Sequence, residues 1–366
     1  MHKIKIHDLK RKSDYVREGL QTAFDNVLDE ANYLRGSYIK EFENKWSKYC
    51  GSEDCTALTS GTDALHIAGH VAGLRPGDEV IMPAHTYIAS PEPFMHLGCT
   101  IKWADNKLSD YLIDEDAIER LITDKTKAIV YVDMLGQTPD IDKILSVAKK
   151  HNLLTIEDAA PASGARYKGK TTGSFADITA FSFGPVKNLG AIGGSGCITG
   201  SKEHCDKAKK LSFHGQMPGS GRDTFLELGY NRKPHNLQYA FLLAKLPHLD
   251  LFIERQRQRA FRYNDELAGV VNHVPLEAKD RYHTYHLYSV LVDRRDELQE
   301  YLRSKNIECL RHYTKPMFDY EFLSDKNINT PVTDRIIKET LSLPCHAFMT
   351  EDKQSYVIEQ IKNFYA

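Results

Sequence analysis

Apolar positions along the chain follow two rhythms in turn. Between residues 13 and 49 they recur at helical spacing, with Phe42 and Trp46 four apart on one face. From residue 55 short apolar runs alternate with amphipathic stretches. Thr62 to Leu74 reads as a helix ended by RPGDE around Gly77. EVIM (79–82), TIKWAD (100–105), KAIVYVDM (127–134), LLTIED (153–158), DITAFSF (177–183) and GCITG (196–200) read as strands. The segments 87–97, 114–123 and 140–150 read as the helices between them, the first with Pro91 and Pro93 near its start. Short apolar strands separated by helices predict an α/β fold with a largely parallel central sheet and helices on both faces. Ligands of such sheets bind beyond the carboxyl ends of the strands. Asp158 ends one predicted strand, and Ser182 closes another shortly before Lys187.

After about residue 236 the texture changes. One long amphipathic helical stretch follows, interrupted at Pro247, then a strand at 285–292, a helix at 294–306, a strand at 307–311 and a helix at 350–365. This predicts a smaller α+β unit, with residues 1–240 forming the large domain and 241–366 the small one. A chain of 366 residues is more than one core usually serves.

Composition adds exclusions. The chain is 41% hydrophobic and 27% charged, ordinary for a globular protein. A formal net charge of -2 gives no reason to expect nucleic acid or an anionic membrane as partner. No apolar run approaches a membrane span, and the charged start MHKIKIHDLKRK lacks the apolar core of a secretory signal. The 7 cysteines show no CxxC spacing, which predicts reduced thiols in a cytoplasmic protein and no metal site.

Four features carry candidate chemistry. In FGPVKNLGAIGGSG (183–196), Lys187 stands alone among small and apolar residues. An amine in a partly dehydrated site has a lowered pKa and serves as nucleophile or base; the alternative is a lysine reaching solvent or paired with an acid. The glycines there lead straight into a strand, so they are not a dinucleotide fingerprint. Asp158, at a strand end, requires a hydrogen bond, a cation or a metal, and no histidine pair beside it has ligand spacing. Tyr87, in HTY after EVIM, suits either stacking on a flat ligand ring or a place in the core. Gly61 and Thr62, in TSGTDAL, open a helix whose N–H groups hold either a phosphate or only a side-chain cap. Pyridoxal phosphate asks for all four at once: an amine, an anion for its ring nitrogen, a stacking group and phosphate donors.

Over roughly residues 10 to 365 the sequence resembles the DegT/DnrJ/EryC1/StrS family of sugar aminotransferases, pyridoxal-phosphate enzymes of the aspartate-aminotransferase-like type I fold. GTDAL (61–65), LRPGDEVIMPAHTYIAS (74–90), GQTPDIDKI (136–144), EDAAPASGARYKGKTTGS (157–174), FSFGPVKNLGAIGG (181–194), GYN (229–231), HLYSVLV (286–292) and LSLPCH (341–346) match in order. The resemblance implies that Lys187 forms the internal Schiff base, Asp158 partners the pyridine nitrogen and Tyr87 stacks on the ring. It implies that Gly61, Thr62 and Ser182 bind the phosphate, and that Asn231 reaches it from a partner subunit in a homodimer with shared active sites. His214 with Gly215, and His312 with Tyr313, match pairs near the substrate. The implied reaction is ping-pong transfer of an amino group from glutamate or glutamine to a nucleotide-linked keto sugar. Pro161, Ser163, Gly194 and Ser195 depart from the pattern, and the second basic residue after GYN shifts to Lys233 beside Arg232. A sugar dehydratase and a cofactor-binding regulatory protein without turnover are the rival implications. The lysine favours transamination over dehydration, because the family's dehydratases carry histidine there.

Overall fold

The computed structural model describes residues 3–34, 36–217, 221, 223–323 and 328–366. Its strands are β1 Asp54–Leu58, β2 Glu79–Pro83, β3 Thr100–Ala104, β4 Thr126–Val132, β5 Leu154–Asp158, β6 Arg166–Tyr167, β7 Lys170–Thr171, β8 Ile178–Ser182, β9 Gly196–Gly200, β10 Arg281–Tyr282, β11 Tyr288–Leu291 and β12 Thr340–Leu343. Seven of them form the central sheet in the order β1-β9-β8-β5-β4-β2-β3. The run from β8 through β5, β4 and β2 to β3 is parallel, while β9 runs antiparallel to both β8 and β1. The reversal has a local cause. Parallel neighbours need a crossover, usually helical, and residues 183–195, between β8 and β9, contain no helix. The chain turns back on itself there, and this returning loop carries Lys187.

Helices cover both faces of the sheet. Gly61–Val71 packs its Ile67 and Ala68 with Val80, Ile156 and Ile198 in one core. On the opposite face, helices Ser37–Cys50 and Asn236–Lys245 bring Phe42, Trp46 and Tyr239 against Phe181 and Phe183. Phe42 and Trp46, predicted to share a face, stack with ring centroids 5.9 Å apart. A separate core gathers Tyr263 of helix Leu249–Leu267, Val290, Leu341, Leu298, Leu302 and Ile358. The long helical stretch is interrupted as predicted, by a 3-10 turn at Leu246–His248 that contains Pro247.

Several predicted elements change. The 87–97 helix contracts to Glu92–His96, because Tyr87–Ser90 forms a turn closed by the Ser90 N–H on the Tyr87 carbonyl at 2.9 Å. The predicted strand 307–311 is reduced to isolated bridges, Ile307 with Ile4 and Leu310 with Ser342. Strands β1 and β12 are additions whose short, mixed sequences DCTAL and TLSL give little periodic signal. All seven cysteines are free and buried. Among the described residues, no helix is long and apolar enough to cross a membrane, and no cluster suits a metal ion.

Candidate active site

A cleft of about 200 Å³ opens beyond the carboxyl ends of β4, β5 and β8, bordered by Thr62, Tyr87, Asp158, Ser182, Lys187 and Tyr313. Asp158 is the last residue of β5 and is only 3% exposed. Its Oδ2 accepts from Ser90 Oγ at 2.7 Å and its Oδ1 from the Ala160 N–H at 3.1 Å. Ser90 Oγ also lies 2.7 Å from Thr86 Oγ1. Burial raises the Asp158 pKa, while these two donors and the Lys187 charge pull the other way.

Lys187 sits in a turn after β8, with its N–H on the Gly184 carbonyl at 2.9 Å. The residue keeps some exposure, but its amine is shielded, and among the described residues no hydrogen bond or ion pair is made by Nζ. Desolvation lowers its pKa, and Asp158 opposes that. The result is an amine held toward its nucleophilic form beside a buried carboxylate.

Ser60 caps helix Gly61–Val71 by accepting from the Asp63 N–H at 3.0 Å. A Cβ on Gly61 would fall 2.6 Å from Ser182 Cβ. Only glycine lets β8 and the helix start approach this closely, which leaves free N–H groups and two hydroxyls at one end of the cleft. At the other end Tyr87 is 56% exposed, with its ring centroid 5.6 Å from that of Tyr313. His312 stands behind: its carbonyl accepts from His85 Nε2 at 2.8 Å, and its Nδ1 is 2.8 Å from Ser342 Oγ. Burial, then the nearby basic groups, lowers the His312 pKa to about 4.

Lys187, Asp158, Tyr87, Gly61, Thr62, Ser182 and Tyr313 are thus brought together, while His312 does not line the cleft and lies behind Tyr313 against His85 and Ser342. His214 and Asn231 are not brought to this group. Both are exposed and lie outside the cleft of their own chain, where Asn231 bridges to Phe213. Of the departures, Pro161 lines the cleft, and Ser163 is buried with no partner for its hydroxyl among the described residues. Gly194 and Ser195 lie where a Cβ on Gly194 would come 2.9 Å from the Thr59 carbonyl, and Ser195 Oγ donates to the Gly194 carbonyl at 2.7 Å. Arg232 pairs with Asp63 at 3.0 Å, and Lys233 sits over the Phe213 ring at 4.5 Å.

Sequence reasoning missed three contributors. Ser90 follows Tyr87 by three residues, and only the turn aims it at Asp158. His286 lines the cleft from the segment before β11, its Nδ1 3.3 Å from Asn188 Oδ1. The third is a buried acidic pair behind the cleft. Tyr131, Glu157, Thr179 and Thr199 form one row across four strands. Glu157 Oε2 accepts from Thr179 Oγ1 at 2.7 Å and from the Gly173 N–H at 3.0 Å. Asp133, fully buried, meets Glu157, and its N–H donates to the Asp158 carbonyl at 3.1 Å.

Burial, the largest cause for both, raises the Asp133 and Glu157 pKa values. The folded chain therefore keeps protons that the unfolded chain releases near the ordinary 3.8 to 4.5. On this account stability falls as pH rises above that range. Asp133→Asn should remove much of the slope, making the variant more stable relative to the native chain at pH 8 than at pH 5, by on the order of 1–3 kcal/mol. Thermal denaturation of both proteins across that pH range checks this; parallel curves would refute it.

A family model described as the DegT/DnrJ/EryC1/StrS aminotransferase family matches residues 14–362. The chain belongs to that family. A Geobacillus stearothermophilus relative named pleiotropic regulatory protein is 34% identical, over 98% of this chain and 97% of its own. The dTDP-3-amino-3,6-dideoxy-α-D-galactopyranose transaminase of Aneurinibacillus thermoaerophilus is 35% identical over 98% of both. The crystal structure of S. venezuelae DesV in complex with a ketimine intermediate superposes with a TM-score of 0.96 at 31% identity, covering 100% of this chain and 99% of that one.

The pyridoxal-phosphate cofactor of the DegT/DnrJ/EryC1/StrS family fits the residues present. The cleft holds an amine without a hydrogen-bond partner among the described residues, a buried carboxylate, an exposed aromatic face, and a close approach at Gly61 that a Cβ would fill.

Proposed function

We propose that the protein is a pyridoxal-phosphate-dependent aminotransferase that moves an amino group from glutamate or glutamine to the ketone of a nucleotide-linked sugar, giving an amino sugar, and that it works as a homodimer. The observation that carries the reading is the unpartnered amine of Lys187 in one cleft with the buried carboxylate of Asp158. Pyridoxal phosphate, when bound, supplies an aldehyde and an electron-accepting ring. Lys187 Nζ would hold the aldehyde end. Asp158, oriented by Ser90 and the Ala160 N–H, would keep the ring nitrogen protonated. Tyr87 would cover the ring face. The N–H groups at Gly61 and Thr62 with the Ser182 hydroxyl would take the phosphate. Once free of the aldehyde, Lys187 Nζ would take the proton from the donor α-carbon and deliver it to the former aldehyde carbon, acting as base and then acid. Desolvation, which lowers its pKa, favours the unprotonated amine that the first of these transfers needs. Exposed Asn231 is assigned to the cleft of the partner subunit. Membership of this aminotransferase family and likeness to the Aneurinibacillus sugar transaminase support the sugar substrate.

The name of the Geobacillus relative favours a second reading, a regulatory protein that holds the cofactor without turnover. An absorbance spectrum with added pyridoxal phosphate separates the two. The proposal expects the band of lysine-bound cofactor, and its conversion to the amine form by glutamate or glutamine, after which a panel of keto sugars restores it. A band that neither donor changes would favour the regulatory reading, and no band would overturn both.

A further inference from the structure

The loop that carries Lys187 is held from outside by amines. Residues 187–193 form no helix or strand, so their backbone groups need other partners. Lys12 Nζ donates to the carbonyls of Lys187 and Asn188, both at 2.8 Å. Lys245 Nζ donates to the Gly190 carbonyl at 2.6 Å. Gln238 Oε1 accepts from the N–H groups of Ile192 at 3.2 Å and Gly193 at 2.7 Å. Lys245 and Gln238 come from one helix, Asn236–Lys245, whereas Lys12 arrives on the N-terminal helix Leu9–Tyr15.

That N-terminal segment is tied to the small core at several points. The Ile6 N–H donates to Glu308 Oε2 at 3.0 Å, Lys3 pairs with Glu308 at 3.0 Å, and Arg11 reaches the Phe348 carbonyl at 3.2 Å. The strap thus runs from the small core to the carbonyl of Lys187 itself. Among the described residues neither Lys12 nor Lys245 has a carboxylate partner at salt-bridge distance. Desolvation, then repulsion from Lys245, brings the Lys12 pKa down to about 7. A shielded ammonium without an acid costs stability, which opposes whatever its two hydrogen bonds to the loop contribute to the fold.

We propose that Lys12 is a positioning residue for Lys187, fixing the carbonyls of Lys187 and Asn188 and with them the direction in which the Lys187 side chain leaves the loop. The proposal rests on the pyridoxal-phosphate reading of the cleft. A lysine whose backbone is free to rotate spends less time with its amine aimed at the aldehyde, and misplacement of a reacting group by about 1 Å costs up to 10²-fold.

The test uses the full chain freed of cofactor, comparing the native protein with Lys12→Met, which keeps the length of the side chain and removes its donor. Covalent capture of pyridoxal phosphate by Lys187 is followed by absorbance and by borohydride trapping with mass analysis of the Lys187 peptide. Pyridoxine phosphate, which lacks the aldehyde, reports the noncovalent fit of the cleft. Lys12→Met is expected to capture at least about tenfold more slowly, to bind pyridoxine phosphate within about twofold of the native protein, and to change little in thermal stability, since relief of the desolvated amine offsets the loss of a donor to two carbonyls. Lys12→Gln, which keeps an amide donor, should fall between the two. Capture at the native rate overturns the proposal. So does a parallel loss of capture, pyridoxine-phosphate affinity and melting temperature, the signature of a merely structural role. Failure of the native protein itself to capture pyridoxal phosphate would instead overturn the reading of the cleft.

Discussion

Lys187→Ala is expected to abolish amino transfer, lowering single-turnover conversion with glutamate or glutamine by about 10³-fold or more. Nucleophile and proton carrier are lost together, and general acid–base catalysis alone contributes about 10²–10⁴. The cofactor should still bind noncovalently, because Asp158, the Gly61–Ser182 approach and Tyr87 are untouched. The fold should also persist. Nζ makes no hydrogen bond among the described residues, so its removal strands no partner. Desolvation holds the folded amine below its ordinary 10.5, so the native chain gains stability on this account as pH rises toward that value. Lys187→Ala should lack that gain. Stopped-flow absorbance and a pH series of melting temperatures check both halves. Turnover near the native rate would remove Lys187 from its role.

Asp158→Asn is the second large effect. The amide is close to isosteric, and its oxygen still accepts from Ser90 or the Ala160 N–H, so the geometry should survive. What disappears is the negative charge, and with it the electrostatic reason for a proton on the ring nitrogen. The half-reaction with the amino donor should slow by on the order of 10²–10³, the equivalent of about 3–4 kcal/mol of electron-sink stabilisation. Cofactor affinity should fall less. Ser90→Ala is a graded control. It removes one donor to the carboxylate, costs about 1 kcal/mol and raises the Asp158 pKa further. An unchanged half-reaction rate in Asp158→Asn would show that the ring nitrogen is served by another group.

Much of the fold was legible because its signals are local. Apolar runs such as KAIVYVDM and the turn signals between them depend on near neighbours, and β2, β3, β4, β5, β8 and β9 fall where those runs lie. That Lys187 and Asp158 were candidates was legible for a related reason: an amine or carboxylate among apolar and small residues is costly unless paired or used. The order of motifs then tied the two to one family, a step that neither spacing nor composition supplies.

Other features depend on which parts of the chain meet. The direction of β9 follows from a helix-free return loop, and nothing in GCITG states it. Glu157 and Asp158 were bound to face opposite sides of the sheet, because side chains alternate along a strand, yet only packing brings Asp133 to one and Ser90 to the other. Tyr313 meets Tyr87 across the cleft only because the two cores dock at this edge. Lys12 and the carbonyl of Lys187 are 175 residues apart. A backbone acceptor carries no mark in the sequence, so the charged loop-holder appeared there only as one more lysine in a basic N-terminal run. What the sequence determined by itself was most of the strands of the central sheet and the two candidate reactive groups. What the tertiary structure decided was the long-range contacts that aim those groups, since such contacts come from burial and hydrogen-bond demand summed over the whole chain and not from any local window of it.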